Sequence, residues 1–308
     1  MSDPTAEDAR RVTAAVLGVE AREARRFTTG LHHFVYEVTL ADGRAVARRM
    51  TRPREVRFMR SAVALSRQLR PLGVPLPELL AADTEAPFPW MLLERLPGRD
   101  LGEVVGTLPE ASLGQIAEQV IAAQRIAAAT PSAGRYGFSA TPEGAPFASW
   151  SDVVAADIER SRTRIAAAGL FDLAVVEPLE LKLAAFREEL DTIAATPFLH
   201  DTTTKNVIVT DDGRFSGIVD VDDLCYGDPR FVPALTHVAL RDIPVDYADR
   251  LMQAAGWADD GLYRFYIAAF LLNFMSEHGQ RFNDNQPDST LTARKSLLVH
   301  YERALADI

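Results

Sequence analysis

Residues 198–229 read FLHDTTTKNVIVTDDGRFSGIVDVDDLCYGDP. Val207-Ile208-Val209 is β-branched and reads as a strand. Asp211-Asp212-Gly213 is a turn signal, because Asp and Gly tolerate the dihedrals a tight turn requires. Phe215 to Val219 reads as the return strand of a hairpin. The residues before its first strand and at the end of its second then fall on one side. That side carries Asp201, Lys205 and Asn206 from one arm, and Asp220 and Asp222 from the other. Clustered carboxylates repel one another unless a cation or a proton intervenes. Carboxylate and amide oxygens together suit a hard cation such as Mg²⁺. The alternative is a solvated hairpin whose acids are turn formers and caps.

Outward from the hairpin, the chain divides by composition. Residues 5–18 read as a short helix with Thr5 or Asp3 as cap. Residues 24–50 have strand character: Phe34, Tyr36 and Val38 alternate with Val35, Glu37 and Thr39, Ala41-Asp42-Gly43-Arg44 forms a turn, and Ala45 to Met50 returns. Pro53 opens a helix through Leu69, the proline-rich PLGVPLPELL breaks it, and Trp90 to Glu94 reads as a buried strand. After Pro97-Gly98 the pattern is mostly helical, over 109–129, 149–168, 173–195, 231–241, 259–280 and 289–306, with the hairpin as the only strand signal. This order predicts an α+β protein of two lobes, a small β-rich one over 1–96 and a larger, mainly helical one over 97–308, with a cleft between them.

The bulk figures narrow the function classes. A chain of 308 residues with 47% apolar and 25% charged content is an ordinary globular composition. A formal charge of -10 argues against a general nucleic-acid surface. One cysteine, Cys225, excludes an intrachain disulfide and fits a reducing, cytoplasmic setting. MSDPTAEDARR is polar and acidic, so no signal peptide is expected there. The apolar run Tyr266 to Phe274 is too short to span a bilayer and holds Asn273, so no membrane partner is expected. Cys/His zinc spacing, GxSxG, GxGxxG and GxxxxGK[ST] are all missing from the sequence.

The combination of Asp201-x-x-x-x-Asn206 before a hairpin, Asp220 at its far end and Gly227-Asp228-Pro229 beyond resembles the aminoglycoside phosphotransferase family of small-molecule kinases, over about residues 25–240. The resemblance implies a bilobal protein-kinase-like fold. It implies transfer of the γ-phosphate of ATP or GTP to a hydroxyl of a small molecule, either an antibiotic or a metabolite alcohol. On this resemblance Asp201 accepts or orients the hydroxyl, and Asn206 and Asp220 hold Mg²⁺ on the phosphates. Lys205 steadies the γ-phosphate or is simply solvated. Arg48, on the third strand, contacts the phosphates, with Arg49 in its place if the register slips by one, and Glu55 is the ion-pair partner that positions it. The backbones of Glu94 and Leu96 bind the purine edge. Gly30, in Thr28-Thr29-Gly30-Leu31-His32-His33, belongs to a phosphate-covering loop.

Departures are visible too. That loop has a single glycine, Leu199 stands where the family places a His, His200 adjoins Asp201 instead, and Asp220-Val221-Asp222 lacks the following Gly. Asp222 is either a further metal acid or a cap, and Asp228 caps or anchors the next helix. Substrate choice is expected in 100–195 and 259–300, where Glu159, Glu277 and Asp284 either receive a cationic substrate or are plain surface charge. The competing reading is a catalytically weak or inactive nucleotide-binding module on the same fold, and a third is a metal-dependent hydrolase. Acceptor, nucleotide preference and oligomeric state are not encoded in any motif.

Overall fold

The computed structural model of the protein describes residues 3–27, 33–280 and 289–308. Helix α1 (Ala6–Leu17) starts at Thr5, whose hydroxyl accepts from the Asp8 backbone N–H while the Asp8 carboxylate accepts from Thr5. Strands β1 (Ala21–Arg26), β2 (Phe34–Leu40) and β3 (Ala45–Met50) follow, then α2 (Val56–Leu69), β4 (Leu79–Asp83) and β5 (Trp90–Glu94). The five strands form one antiparallel sheet in the order β1-β2-β3-β5-β4. β4 sits at the sheet edge, begins on the last two residues of the proline-rich stretch read as a helix breaker, and is half-exposed, without the alternation that marks a strand with one buried face.

Both faces of this sheet are covered. The period-two face of Phe34, Tyr36, Val38 and Leu40 is buried against α1, together with Val46, Trp90 and Leu92. The opposite face meets α2 through Met59, Val63 and Met91. At the far end of α2, Leu65 and Leu69 join Val74, Leu76, Leu199, Ile218 and Tyr226 in a cluster that continues into the second part of the chain.

That second part begins with β6 (Arg99–Asp100) and α3 (Leu101–Val104), then α4 (Glu110–Ala128), β7 (Gly137–Ser139), α5 (Trp150–Ala168) and α6 (Glu177–Asp191). Next come β8 (Thr196–Phe198), the hairpin strands β9 (Val207–Val209) and β10 (Phe215–Ile218), and β11 (Leu224–Gly227). Helices α7 (Phe231–Ala239), α8 (Tyr247–Ala255), α9 (Gly261–Glu277) and α10 (Leu291–Ala306) complete it. The strands form two small sheets, β10-β9-β6 and β7-β11-β8. The expected hairpin is present. Beside it lie four strands of two to four residues and helix α8, none of which carries a periodic signal long enough to read. The helical core surrounds Trp150, Phe198, Phe265 and Tyr266. None of the described helices is long and apolar enough to cross a membrane.

Gly98 marks the passage from the large sheet to β6. Its φ of 105° lies in the left-handed region, and a Cβ there would sit 1.9 Å from the Val209 carbonyl oxygen on β9. Gly98→Ala is therefore expected to lower stability by about 2 kcal/mol or more, measured by thermal or denaturant unfolding. Gly43→Ala, at φ 87° with open space around it, should show only the cost of the backbone conformation, about 1 kcal/mol. Equal losses in the two variants would mean that the close approach to β9 contributes nothing.

Candidate active site

The hairpin pairs Ile218 with Val207 and Phe215 with Val209, with a bulge at Gly217. One step further, the Val219 N–H donates to the Asn206 carbonyl at 2.9 Å, which sets Asn206 beside the segment leading to Asp220. The loop before β9 is fixed by buried polar contacts. The Gln124 side chain, 4% exposed on α4, accepts from the Leu199 N–H and donates to the Leu199 carbonyl, both at 2.9 Å, and also donates to the Thr202 hydroxyl. Thr202 donates to the Leu199 carbonyl, and the Asn206 N–H to that of Thr203. Gln124 was not among the expected residues. Its signal is a lone amide on the apolar face of an otherwise Ala- and Ile-rich helix.

Asp201 opens onto the cavity but is ringed by protein. Its carboxylate accepts from Asn206 Nδ2 at 2.9 Å, and its carbonyl accepts from the same nitrogen at 2.8 Å. Burial, and then the charge of Asp220, raise the Asp201 carboxyl to about 7, against the pull of Asn206 and Lys205. Because the Asn206 nitrogen is taken by Asp201, its carbonyl oxygen is the end left for a cation. Asp220 has a φ of 63°, the one positive value at a non-glycine among the described residues. An amide oxygen and a carboxylate from adjoining segments are hard donors, so the residues present fit Mg²⁺.

Asp220 and Asp222 share a cation from the sheet. Arg49, 4% exposed, places Nη1 2.9 Å from Asp220 and Nη2 2.5 Å from Asp222. His33 Nε2 lies 3.0 Å from Asp222, with Nδ1 3.1 Å from the Thr51 hydroxyl. Burial opposes ionisation of Asp222, but Arg49 and His33 hold its carboxyl well below the usual range. Asp222 is thus the ion-pair partner of the strand arginine, rather than a helix cap.

The register on β3 differs from the first expectation. Arg48 shares its face with Val46, as read, but that face is turned to α1 and not to the cleft. The Arg48 side chain is fully buried, its guanidinium 4.1 Å over the Trp90 ring, with no hydrogen-bond partner among the described residues. Burial lowers it to about 10. Arg49, the alternative, is the one that lines the cleft. Glu55 pairs with its neighbour Arg54 at 3.7 Å, and the expected Arg48–Glu55 pair does not form, because Arg48 points through the opposite face of the sheet.

His33, Arg49, Asp201, Asn206, Asp220 and Asp222 share a cavity of about 1640 Å³. Glu94 and Leu96 line one end, where the Glu94 N–H donates to Glu78 and the Leu96 carbonyl accepts from Arg95. Lys205, exposed, lines the middle with Asp201, Asn206 and Asp220. Asp100, raised to about 6 by burial and Glu103, lines it as well. Gly30 lies outside the described residues, as does Asp284. Glu277 faces the cavity, whereas Glu159 is exposed on α5 beside Arg162. His200, edge-on to Phe138 at 4.8 Å, is held in its neutral form by burial, which outweighs the nearby acids.

Asp228 anchors α7. Its carboxylate accepts from the Arg230 N–H at 3.0 Å and from the Arg230 guanidinium, and from the Tyr266 hydroxyl at 2.9 Å, which in turn accepts from Trp150 Nε1.

Solved structures share this fold. The apo form of a thermostable mutant of aminoglycoside phosphotransferase APH(4)-Ia superposes with a TM-score of 0.70 at 16% identity, covering 97% of this chain and 98% of that one. The GDP and kanamycin complex of APH(2")-IIia gives 0.70 at 14%, covering 96% and 99%. A putative fructosamine-3-kinase from Thermobifida fusca YX-ER1 gives 0.64 at 17%, covering 99% and 100%. Among curated proteins none matches in sequence. The profile of the phosphotransferase enzyme family, APH, matches residues 23–266. That span takes in the sheet, the loop at Asp201, the hairpin and the Asp228 anchor, and the chain belongs to this family.

Proposed function

We propose that this protein transfers the γ-phosphoryl group of ATP or GTP to a hydroxyl of a small molecule, with residues 1–96 as the nucleotide lobe and 97–308 as the catalytic and acceptor lobe. The observation that carries this reading is the meeting of Asp201, Asn206 and Asp220 on one cavity wall, with Asp201 oriented by Asn206. Asp201 Oδ2 is engaged by Asn206, so Oδ1 takes the proton of the acceptor hydroxyl. As that O–H bond breaks, the oxygen bonds to the γ-phosphorus, and the bridging oxygen leaves with the nucleoside diphosphate. Asn206 and Asp220 would hold Mg²⁺, which would neutralise charge on the phosphates. Arg49 and Lys205 supply further positive charge, Arg49 from a position set by Asp222. Glu94 and Leu96 offer backbone groups to the base.

Nucleotide consumption screened against hydroxylated antibiotics and metabolites tests the reading. Nucleotide binding without turnover of any acceptor would instead identify a binding module. Asp201→Ala should lower turnover by about 10²-fold or more with little change in nucleotide affinity, and Asp220→Ala should weaken Mg-nucleotide binding. Unchanged turnover in the first, or unchanged metal dependence in the second, removes that residue from its role.

The two arginines of β3 should separate cleanly. Arg49→Met is expected to lower kcat/KM by about 10²-fold. Arg48→Met should keep the KM for nucleotide and leave the melting temperature equal or higher, since a well-packed apolar side chain replaces an unpaired buried cation. A kinetic defect confined to the Arg48 variant would reverse the assignment.

Asp201→Asn separates activity from stability. A carboxyl raised from 3.8 to about 7 binds a proton more tightly folded than unfolded, so its ionisation destabilises the fold as pH rises across that window. Solvent in the cavity screens this exposed carboxylate, so the variant should melt only a few °C (about 1 kcal/mol) above wild type at pH 8, equal wild type near pH 3.5, and be inactive at both. A lower melting temperature at pH 8 would show that the Asp201 charge is not strained.

A further inference from the structure

Beyond Asp201, the cavity runs on between α5, α7, α9 and α10, and its walls carry two features that bear on the acceptor. The first is charge balance. Of the three acids that these helices present to the cavity, two are held by arginines. Asp157 pairs with Arg160 at 2.7 Å, and Asp242 with Arg241 at 3.4 Å. Glu277 sits in the field of Arg164, with Lys205 and Arg160 further off. Asp242 also meets Ser296 and His300, each at 3.5 Å. Burial raises the carboxyls of Asp157 and Glu277, which weakens them further as charged sites. A molecule bearing several ammonium groups needs several unpaired carboxylates to replace its hydration, and among the described acids of these helices that line the cavity Glu277 alone has no ion pair.

The second feature is apolar surface. Ile158, Leu235, Phe270, Phe274 and Leu297 line this end of the cavity. Phe138, 36% exposed on β7, stands beside His200 at its mouth. An exposed phenylalanine next to the site of chemistry, continuous with a buried apolar wall, is a surface that a ligand's apolar face would cover.

We infer that the acceptor is a hydroxylated molecule with a broad apolar face and at most one positive charge, not a polyamine. The inference rests on the proposed phosphotransfer for which hydroxyl reacts, but the recognition it describes is a property of the cavity and is measurable without turnover. Apolar contact with the aromatic wall supplies the affinity, and the acids already held by arginines offer no place for further positive charge.

The test measures binding to the full chain by calorimetry, with macrolides as apolar, singly charged probes and kanamycin and hygromycin B as polyamine probes, followed by the same compounds in the nucleotide-consumption assay. The macrolides should bind at least about tenfold more tightly than the polyamines, with an affinity little changed by salt. Phe138→Ala, at an exposed position that the core does not need, should weaken macrolide binding by about fivefold or more. Arg160→Glu, also exposed, should leave macrolide binding intact and strengthen polyamine binding, because it frees Asp157 and adds a carboxylate. Tighter binding of the polyamines by wild type, or no binding of either class, overturns the inference. Phosphorylation of polyamines alone overturns it while phosphotransfer stands. Macrolide binding with no turnover of any acceptor upholds it and removes the phosphotransfer instead.

Discussion

Arg49 is a nearly buried cation held between two carboxylates that belong to the other half of the chain. A guanidinium at 4% exposure is costly to place without such partners, and removing both acids would leave its charge uncompensated. The arrangement therefore works in both directions. The acids give β3 a reason to carry an arginine into the cleft, and the arginine lets Asp220 and Asp222 stand close together. Because Arg49 comes from the large sheet and the acids follow β10, the cluster also joins sheet to hairpin across the cavity. The left-handed backbone of Asp220 persists inside that frame, where surrounding contacts over-determine it. His33 closes the cluster from the start of β2 and fixes Asp222 from a second side.

The same cluster shapes its neighbour. Asp201 belongs to the loop that Gln124 clamps, and it feels Asp220 as a like charge in a desolvated setting. Asp201 and Asp222 are thus driven in opposite directions, one up and the other down, though they are the same residue type in one short stretch. What separates them is partners. Asp222 faces the Arg49 guanidinium and the His33 ring, whereas Asp201 has one neutral amide and a lysine in solvent. A group poised near neutrality beside groups locked in one state is an arrangement suited to proton acceptance.

How much of this could be read from sequence follows from how local each signal is. The hairpin was legible because β-branched strands and an Asp-Asp-Gly turn are written into adjacent residues, and its two ends must then converge. The assignment of Arg48 failed for a physical reason. Alternation tells which residues share a face, but here both faces are buried, one by α1 and one by α2 and the cleft, so apolar neighbours could not show which way was inward. The reading of residues 5–18 as a helix was sound, yet nothing local says that the helix lies on the sheet. Asp222 and His33 are 189 residues apart, and such a contact has no local trace. The shortest strands, such as β6 and β7, exist only because a partner strand is present to pair with them.

Asp228 shows how the site and the cavity wall are made one body. It follows β11 closely and binds the Arg230 guanidinium, the Arg230 backbone and the Tyr266 hydroxyl, while Arg230 reaches on to Asp260 at the start of α9. Trp150, at the start of α5, donates to that same Tyr266 hydroxyl. One buried carboxylate thereby sets the starting points of α5, α7 and α9, the helices that wall the far end of the cavity. A Cβ on Gly227 would lie 2.1 Å from the Trp150 ring, so the chain must be bare where it passes the indole. The Gly-Asp-Pro sequence is therefore a packing and anchoring device. It joins the strand that follows the hairpin to the helices that wall the far end of the cavity, so that the placing of that wall is set by hydrogen bonds to a buried carboxylate rather than by the ends of loops.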